Sequence, residues 1–455
     1  MTQAEQLGTF VARASYDDLS ANAREHLKIR ILDSLGCAIG ALNAGPVRLI
    51  RNQIQEFDGA GICTCIGGGR SAPDRVAFYN SALVRYLDFN DSYLAPRETC
   101  HPSDNLGAVL AAAEYHDSSG RELLVALAVS YQVQCRLSDA APVRDKGFDH
   151  TTQGSYAVAA GVARALQLDA MRTAHAIAIS GAAFNALRVT RTGTLSHWKG
   201  LAYANTAFGA THATFLAGRG ITGPLEVFEG NKGFMDSIAG RFEIDWLQED
   251  LERVTRTSIK QFNAEIHSQS AIEGLLELRD RHGFHGADVE SIEIEIFDVA
   301  HKIIGGGEEG EKKSVDTKEQ ADHSLPYLLA VALLDGQLMP EQYLPERLHR
   351  EDVQKLLQRI DVRPNASYSA RFPAEMPCSI TVTLKDRRTF KIEKSDYRGF
   401  VSRPIDWNGA IHKFKRLAGT RCDSSAIDEI TGIIASLEQA RVQDLMHTLE
   451  KVHVS

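Results

Sequence analysis

Four segments in the first 258 residues are rich in alanine and other small residues, and they constrain the fold of this chain more than any other feature. They cover residues 108–113, 156–166, 174–184 and 202–213. Helices with few bulky side chains can bring their axes close together and bury most of their surface against one another. The sequence therefore predicts one large, closely packed helical domain.

The pattern of apolar residues changes after about residue 285. Residues 291–297 alternate between apolar and polar side chains, which predicts a half-buried strand. Further strands are predicted at 360–362, 379–384 and 389–392, the last two as a hairpin, with helices at 324–334 and 350–357. Residues 407–452 return to helix. We therefore predict a mainly α protein, in which an all-α domain (1–258 and 396–455) is interrupted by a smaller α+β domain (259–395).

The composition excludes several classes of partner. The 455 residues carry a net charge of -9, which argues against nucleic acid or an anionic membrane surface as the main partner. No apolar run approaches the roughly 18 residues of a membrane span, and no secretion signal precedes the first helix pattern. The seven cysteines form no Cys-x-x-Cys pair, so we expect reduced thiols in a cytoplasmic protein.

The densest group of chemically active side chains lies between residues 88 and 105. Asp88 and Asp91 are three residues apart and would share a face if they lay on a helix. Ser92 and His101 follow, and Ser103 or Asp104 is expected to cap the next helix. The alternative, a solvated helix end, is opposed by the apolar residues that precede Asp88. Titratable groups between apolar helices are costly to bury unless they bind a charged ligand or transfer protons.

Other candidates are spread along the chain. Lys199 precedes a small-residue helix, where its charge opposes the helix dipole unless an anion is nearby. His150 has Asp149 beside it, and Asp149 is also a candidate helix cap. Arg188 and Arg191 are spaced so that they could clamp a carboxylate or remain solvated. Each of these signals is weak by itself.

Several chemistries are not supported by the sequence. The acids at 88 and 91 have no second acidic motif to complete a metal site, and His282 and His285 have no further ligands near them in sequence. No phosphate-binding loop, dinucleotide fingerprint or nucleophile elbow occurs in a suitable context. We therefore predict neither a metal nor another cofactor.

Taken in order, six segments resemble the MmgE/PrpD family, which contains 2-methylcitrate dehydratase, cis-aconitate decarboxylase and iminodisuccinate epimerase. The six segments are residues 31–36, 80–91, 101–105, 198–200, 264–269 and 322–327. As an ordered set they are specific to the family and span nearly the whole chain. Residues 101–105 and 264–269 are more similar to the dehydratase branch than to the decarboxylase branch.

The resemblance implies a cofactor-independent homodimer in which the inserted α+β domain is a lid and the active site lies in the cleft beneath it. Carried onto this chain, the family's site consists of Asp88, Asp91, Ser92, His101, His150, Lys199, His267 and Tyr327. We expect a small di- or tricarboxylate substrate and, foremost, the dehydration of a 2-methylcitrate-like compound.

Dehydration requires a base for a proton beside a carboxylate, an acid for the departing hydroxyl, and neutralisation of the substrate's charge. The hypothesis assigns the proton transfers to His101 and His150, each held by an acid such as Asp88 or Asp91, with Tyr327 as a further donor. Substrate binding is assigned to Lys199, Ser92, His267 and Ser103. Decarboxylation and epimerisation use the same residue types. A ligand-binding protein and a helical scaffold are the non-enzyme alternatives.

Overall fold

The computed structural model describes residues 1–57 and 59–452, and these form two compact units. The first contains Met1–Arg191, Gly200–Thr257 and the C-terminal segment from Asp406. The second contains Ser258–Ile405 together with Thr192–Lys199, a segment that the sequence assigned to the helical domain. The chain is mainly helical, which confirms the predicted class, whereas a lid role for the second unit stays a prediction.

The described residues include these α-helices in chain order: α1 Gln3–Arg13, α2 Ala21–Gly40, α3 Gly45–Phe57, α4 Pro73–Tyr86, α5 Leu106–Tyr115, α6 Gly120–Ala140, α7 Thr151–Ala165, α8 Ala170–Ala183, α9 Trp198–Gly218, α10 Gln269–His282, α11 Asp298–Ile304, α12 Lys318–Ala321, α13 Leu325–Asp335, α14 Pro345–Leu348, α15 Glu351–Leu357, α16 Ala366–Ser369, α17 Trp407–Ala418, α18 Ser424–Ala435 and α19 Val442–Glu450. The strands are β1 Cys63–Thr64, β2 Arg70–Ser71, β3 Tyr93–Ala95, β4 Glu98–Cys100, β5 Val289–Ile296, β6 Ile360–Pro364, β7 Cys378–Leu384 and β8 Thr389–Lys394.

The small-residue segments all lie within helices of the first unit, α5, α7, α8 and α9, as predicted. Close packing explains why they are small. A Cβ atom added at Gly161 of α7 would lie 1.8 Å from the Ser130 hydroxyl oxygen of α6. The helix starts are fixed locally: the Ser119 side chain and Glu122 form a reciprocal capping box at the start of α6.

The second unit is built on a four-stranded sheet of order β6-β5-β7-β8. Strand β5 pairs in parallel with β6 and antiparallel with β7, and β7 and β8 form a hairpin. Ile292, Ile294 and Ile296 of β5 are buried, because alternate side chains point to the same face. Val289 is also buried, but the pairing with β7 shifts register between Val289 and Ser291, so it does not follow this alternation. Helices α10 and α13 pack against the sheet. The predicted strands, the hairpin and the two intervening helices are confirmed.

The structure corrects the local geometry at Asp88. Helix α4 ends at Tyr86, and Asp88 has a positive φ of 55°, so Asp88 and Asp91 do not share a helix face. The chain then turns into the short β3–β4 hairpin before it reaches His101. Among the described residues, no helix is long and apolar enough to cross a membrane.

Candidate active site

A buried ionic group follows the end of α4 in the first unit. Arg85 contacts the Asp88 carboxylate at 2.6 Å and the Asp104 carboxylate at 3.4 Å. Burial raises the pKa of Asp104 to about 7, although the positive charge of Arg85 opposes this shift. Asn90 donates to the other oxygen of Asp104 at 2.8 Å. The predicted acid Asp88 is therefore held by an arginine from the last turn of α4, the helix that ends just before it.

Asp91 organises the segment around the second predicted acid. Its Oδ1 accepts hydrogen bonds from the Ser103 backbone and hydroxyl, at 3.1 and 2.7 Å, and its Oδ2 accepts one from Tyr131 at 2.7 Å. Burial raises the pKa of Asp91. The expectation that Ser103 or Asp104 caps the following helix is wrong, because the side chain of Ser103 binds Asp91 and that of Asp104 binds Arg85 and Asn90.

His101 is held through one ring nitrogen. Its Nδ1 lies 2.8 Å from the backbone oxygen of Asp91 and 3.1 Å from the Ser92 hydroxyl. A carbonyl oxygen can only accept, so the short contact places a proton on Nδ1. A proton on Nδ1 fixes the tautomer of the neutral ring, in which Nε2 is the acceptor nitrogen. A backbone oxygen and a hydroxyl thus contact the Nδ1 atom of His101, and the hypothesis that an acidic side chain holds the ring stays a prediction.

His150 lies beside His101, with the two ring centroids 5.4 Å apart and nearly perpendicular. Its Nδ1 is 3.3 Å from a carboxylate oxygen of Asp149, the neighbouring residue. Burial lowers the pKa of His150 well below its ordinary value, although Asp149 opposes this shift, so the imidazole is neutral. In the described part of the chain, its buried Nε2 has no hydrogen-bond partner. Tyr203 stacks on the other side of the ring at 6.3 Å.

The two arginines predicted as a ligand clamp hold Asp149 instead. Arg191 Nε contacts the buried carboxylate at 2.5 Å, and Arg188 lies 3.9 Å away. Burial alone would raise the pKa of Asp149, but the charge of Arg191, aided by His150 and Arg188, holds it well below its ordinary value. Asp149 is thus a fixed anion that orients the His150 ring. Its oxygen also accepts from the Thr151 amide at 3.1 Å, which agrees with the capping alternative.

Lys199 belongs to the second unit and has an anionic partner there. Its ammonium contacts Asp322 at 2.6 Å, and Lys318 contacts the other oxygen of the same carboxylate at 2.7 Å. His323 joins the group through Nδ1, at 2.7 Å from Asp322 and 3.0 Å from Lys199. Burial would raise the pKa of Asp322, but the two lysines hold it well below its ordinary value. The sequence predicted an anion near Lys199, because the charge of Lys199 opposes the helix dipole. The carboxylate of Asp322 is such an anion.

His267 forms a second carboxylate–imidazole pair in the same unit. Its Nδ1 lies 2.6 Å from Glu265, whose amide in turn donates to the backbone oxygen of Asp322 at 3.2 Å. Burial would raise the pKa of Glu265, but the neighbouring His267 lowers it to about 2. The rings of Phe297 and Phe372 pack against the imidazole, each 5.5 Å away. As in His150, the buried Nε2 has no hydrogen-bond partner among the described residues.

Tyr327 does not point to any of these groups. Its hydroxyl donates to the backbone oxygen of Gln342, inside the second unit. Burial raises the pKa of Tyr327 well above its ordinary value, so the hydroxyl keeps its proton. The side chain therefore supports the α13 region in this structure, and the geometry gives no support to its predicted role as a proton donor.

The predicted residues fall into two groups, one in each unit. The first unit brings together Asp88, Asp91, Ser92, His101, Ser103 and His150. The second brings Lys199 beside the Glu265–His267 pair, while Tyr327 stays apart. That both groups serve one substrate stays a prediction. Sequence reasoning missed Tyr131, Tyr203 and Glu265 as partners of the site, because the two tyrosines come from distant helices with no motif around them.

The fold and these groups describe a mainly helical protein with buried histidines, carboxylates and cations on two compact units. Two family models match this chain. The MmgE/PrpD N-terminal domain matches residues 5–247, and the MmgE/PrpD C-terminal domain matches residues 262–439. The chain therefore belongs to the MmgE/PrpD family.

Characterised relatives are similar over most of their length. The chain is 27% identical to a 2-methylcitrate dehydratase of Salmonella typhi, covering 79% of this chain and 77% of the relative. It is 26% identical to the cis-aconitate decarboxylase of Mus musculus, covering 90% and 86%. It is also 26% identical to the 2-methylcitrate dehydratase of Salmonella typhimurium, covering 95% and 93%. Identity therefore does not distinguish between the two activities.

Proposed function

We propose that this chain is a lyase that removes water from a 2-methylcitrate-like tricarboxylate. The observation that carries the proposal is the pair His101 and His150, whose ring centroids are 5.4 Å apart. In each ring an oxygen acceptor lies at Nδ1, and Nε2 is the nitrogen to which we assign the proton transfer. Both imidazoles are held through Nδ1 and they lie next to each other. Such a pair can supply the base and the acid that an elimination requires.

His150 is the proposed base. A base must be unprotonated before it acts, and burial keeps His150 neutral. When the ring takes the proton next to the substrate carboxylate, the imidazolium gains the buried Asp149 carboxylate as its counter-ion. Arg191 and Arg188 fix that carboxylate, so the acceptor is oriented before the substrate arrives.

His101 is the proposed acid. To act as the acid, the ring must be in its protonated form: Nδ1–H is then donated to the Asp91 carbonyl, and the proton on Nε2 is the one released to the departing hydroxyl. The Asp91 carboxylate is occupied by Ser103 and Tyr131, which makes Asp91 a positioning residue rather than a proton carrier. Arg85 and Asp88 form the buried ion pair beside this segment.

We also propose that Lys199 and His267 take part in binding the substrate's carboxylates. The support is chemical: Asp322 holds the ammonium of Lys199, and Glu265 orients His267. Both residues lie in segments that resemble the family's motifs. Their contribution is tested separately, because Lys199→Ala and His267→Gln should raise KM for a tricarboxylate, whereas His101→Gln should lower kcat.

Isotope exchange separates the two histidine roles. In deuterated water, the base alone can exchange the substrate's acidic proton, even when the hydroxyl is not expelled. We expect His101→Gln to lose about 100-fold or more in dehydration while it still exchanges that proton, and His150→Gln to lose both reactions. If His150→Gln exchanges the proton at the wild-type rate, His150 is not the base.

Decarboxylation is the second candidate, because the mouse cis-aconitate decarboxylase matches as much of the chain as the dehydratases do. The purified protein should be incubated with 2-methylcitrate, citrate and cis-aconitate, while ultraviolet absorbance and released carbon dioxide are followed. Absorbance gained from 2-methylcitrate without carbon dioxide supports dehydration. If carbon dioxide is released from cis-aconitate, the proposed activity is decarboxylation instead of dehydration. If none of the three compounds reacts, both proposals are refuted.

We further propose that the protein acts as a cytoplasmic homodimer. All seven cysteines lie in the described part of the chain, where they are buried and form no disulfide, which suits a reducing compartment. Light scattering on the purified chain tests the assembly: twice the mass of 49.9 kDa supports a dimer, and the monomer mass contradicts it.

A further inference from the structure

A pocket in the first unit lies apart from the histidines, between α3 and the turn that joins β1 to β2. Its volume is about 220 Å³, and its wall includes Arg51, Cys65, Gly68, Arg70 and Tyr79. Nothing in the proposed lyase chemistry uses these residues. A volume of this size suits a small ion or one end of a small metabolite rather than a drug-sized ligand.

The two arginines in the wall differ in their electrostatic surroundings. Arg70 has carboxylate partners, with Glu114 at 3.4 Å and Glu450 at 4.0 Å. Arg51 instead donates through Nη2 to the backbone oxygens of Gly67 and Gly68, at 3.0 and 3.1 Å. Within residues 1–57 and 59–452 no carboxylate forms an ion pair with it. The pocket wall therefore contains a guanidinium that forms no ion pair with a carboxylate among the described residues.

One hydrogen-bond proton in this wall has no acceptor among the described residues. The Tyr79 hydroxyl is buried next to the Arg51 guanidinium. Burial raises the pKa of Tyr79 to about 12, although the charge and hydrogen bond of Arg51 lower it, so the hydroxyl keeps its proton. A guanidinium only donates, so the hydroxyl oxygen accepts from Arg51, but the hydroxyl's own proton cannot go to Arg51. That proton and the charge of Arg51 are what an anion in the pocket would satisfy.

The turn beside Arg51 is shaped for close approach. Gly67, Gly68 and Gly69 have φ values of 87°, 99° and 90°, which side chains rarely adopt. A Cβ atom at Gly68 would lie 3.7 Å from Arg51 Nη2 and 3.3 Å from the Glu450 backbone oxygen. The glycine thus lets the backbone oxygens reach the guanidinium and fix its orientation.

We propose that this pocket binds a small oxyanion, the carboxylate or phosphate group of a metabolite, through Arg51 and Tyr79. The anion would balance the guanidinium charge and accept the proton of the Tyr79 hydroxyl. Tyr79 lies on α4, the helix that also carries Arg85, six residues or about 9 Å further along its axis. The site is independent of the proposed lyase activity, and either can be refuted without the other.

Calorimetric titration of the full chain with inorganic phosphate and, separately, with tricarballylate tests the site and its preferred anion. We expect Arg51→Gln to weaken binding about 10-fold or more and Tyr79→Phe about 5-fold, since these substitutions remove one charged and one neutral donor. Arg48→Gln is the matched control, because Arg48 is an exposed arginine on the same helix. Melting curves establish that each variant is folded, and Tyr79→Phe should melt no lower than the wild type because it removes a buried hydroxyl proton that no described residue accepts.

The outcomes decide both the site and the ligand. Phosphate binding that is lost in Arg51→Gln assigns the pocket to phosphate groups. A tricarballylate-binding event that is lost in the same variant assigns it to carboxylates. The proposal is overturned if neither probe binds the wild type up to about 10 mM, where binding is too weak to be specific. It is also overturned if Arg51→Gln binds both probes as the wild type does.

Discussion

Replacing Asp149 by asparagine tests the orientation of His150 most directly. The substitution keeps the shape of the side chain and removes the charge that contacts Arg191 at 2.5 Å and the His150 ring at 3.3 Å. Asp149 is fully buried, and Arg191 is only 7% exposed. Removing one member of such a pair leaves a buried charge without its counter-ion, so we expect unfolding to become easier by about 3 kcal/mol.

The turnover number kcat should fall by more than the loss of folded protein explains. Without the carboxylate, the imidazolium formed on His150 loses its counter-ion and the ring loses its orientation, so we expect kcat to fall about 100-fold. The negative charge of Asp149 raises the pKa of His150, and its removal lowers that pKa further. The acidic limb of the kcat/KM profile should therefore move to lower pH. Measuring kcat and kcat/KM against pH, within the pH range in which the variant stays folded, checks both effects.

The matched control is Asp145→Asn, which removes an acid from the same segment. Asp145 is 58% exposed and pairs with the exposed Arg97, so its loss should change stability by less than about 1 kcal/mol and leave kcat unchanged. If Asp149→Asn keeps kcat within about twofold of the wild type, and only its melting temperature falls, then Asp149 stabilises the fold and does not orient a catalytic base.

Three further outcomes are expected. Glu265→Gln should lower the free energy of unfolding at pH 7 by about 3 kcal/mol, because folding lowers the pKa of Glu265 from an ordinary 4.5 to about 2. That stability is present above pH 4.5 and is lost as the pH falls through 2. In denaturant melts, the free energy of unfolding of the variant should therefore depend less on pH in this range than that of the wild type. Gly161→Ala should cost about 2 kcal/mol, since its Cβ would collide with Ser130, whereas Gly432→Ala, with no atom within 4 Å, should gain up to about 1 kcal/mol in thermal melts. Lys199→Ala should raise KM for the tricarboxylate about 10-fold or more, which initial rates at varied substrate would show, and an unchanged KM would contradict its binding role.

Local patterns predicted the elements of this fold well. The small-residue segments became closely packed helices because only small side chains permit the contacts seen between α6 and α7. The alternating residues 291–297 became β5 because one face of the sheet is buried. Both signals lie within a few consecutive residues. They can therefore be recognised without knowing which other segments pack against them in the fold.

Partnerships between side chains were predicted less well. The sequence suggested a helix face shared by Asp88 and Asp91, but the positive φ of Asp88 ends the helical conformation. Arg188 and Arg191 were expected to hold a ligand or remain solvated, and they hold Asp149. Choosing among partners requires distances between residues that are far apart in sequence, which no local pattern contains.

The sequence alone determined the mainly helical class, the α+β segment and most of the candidate site residues, because periodicity and ordered motifs are properties of the chain itself. The tertiary structure decided which side chains contact one another. Tyr131 reaches Asp91 across forty residues, and Tyr203 stacks on His150 across fifty-three. Burial then set the protonation states, keeping His150 neutral and raising the pKa of Asp104 to about 7. Desolvation and charge pairing depend on what surrounds a group in space, so only the folded chain could assign them.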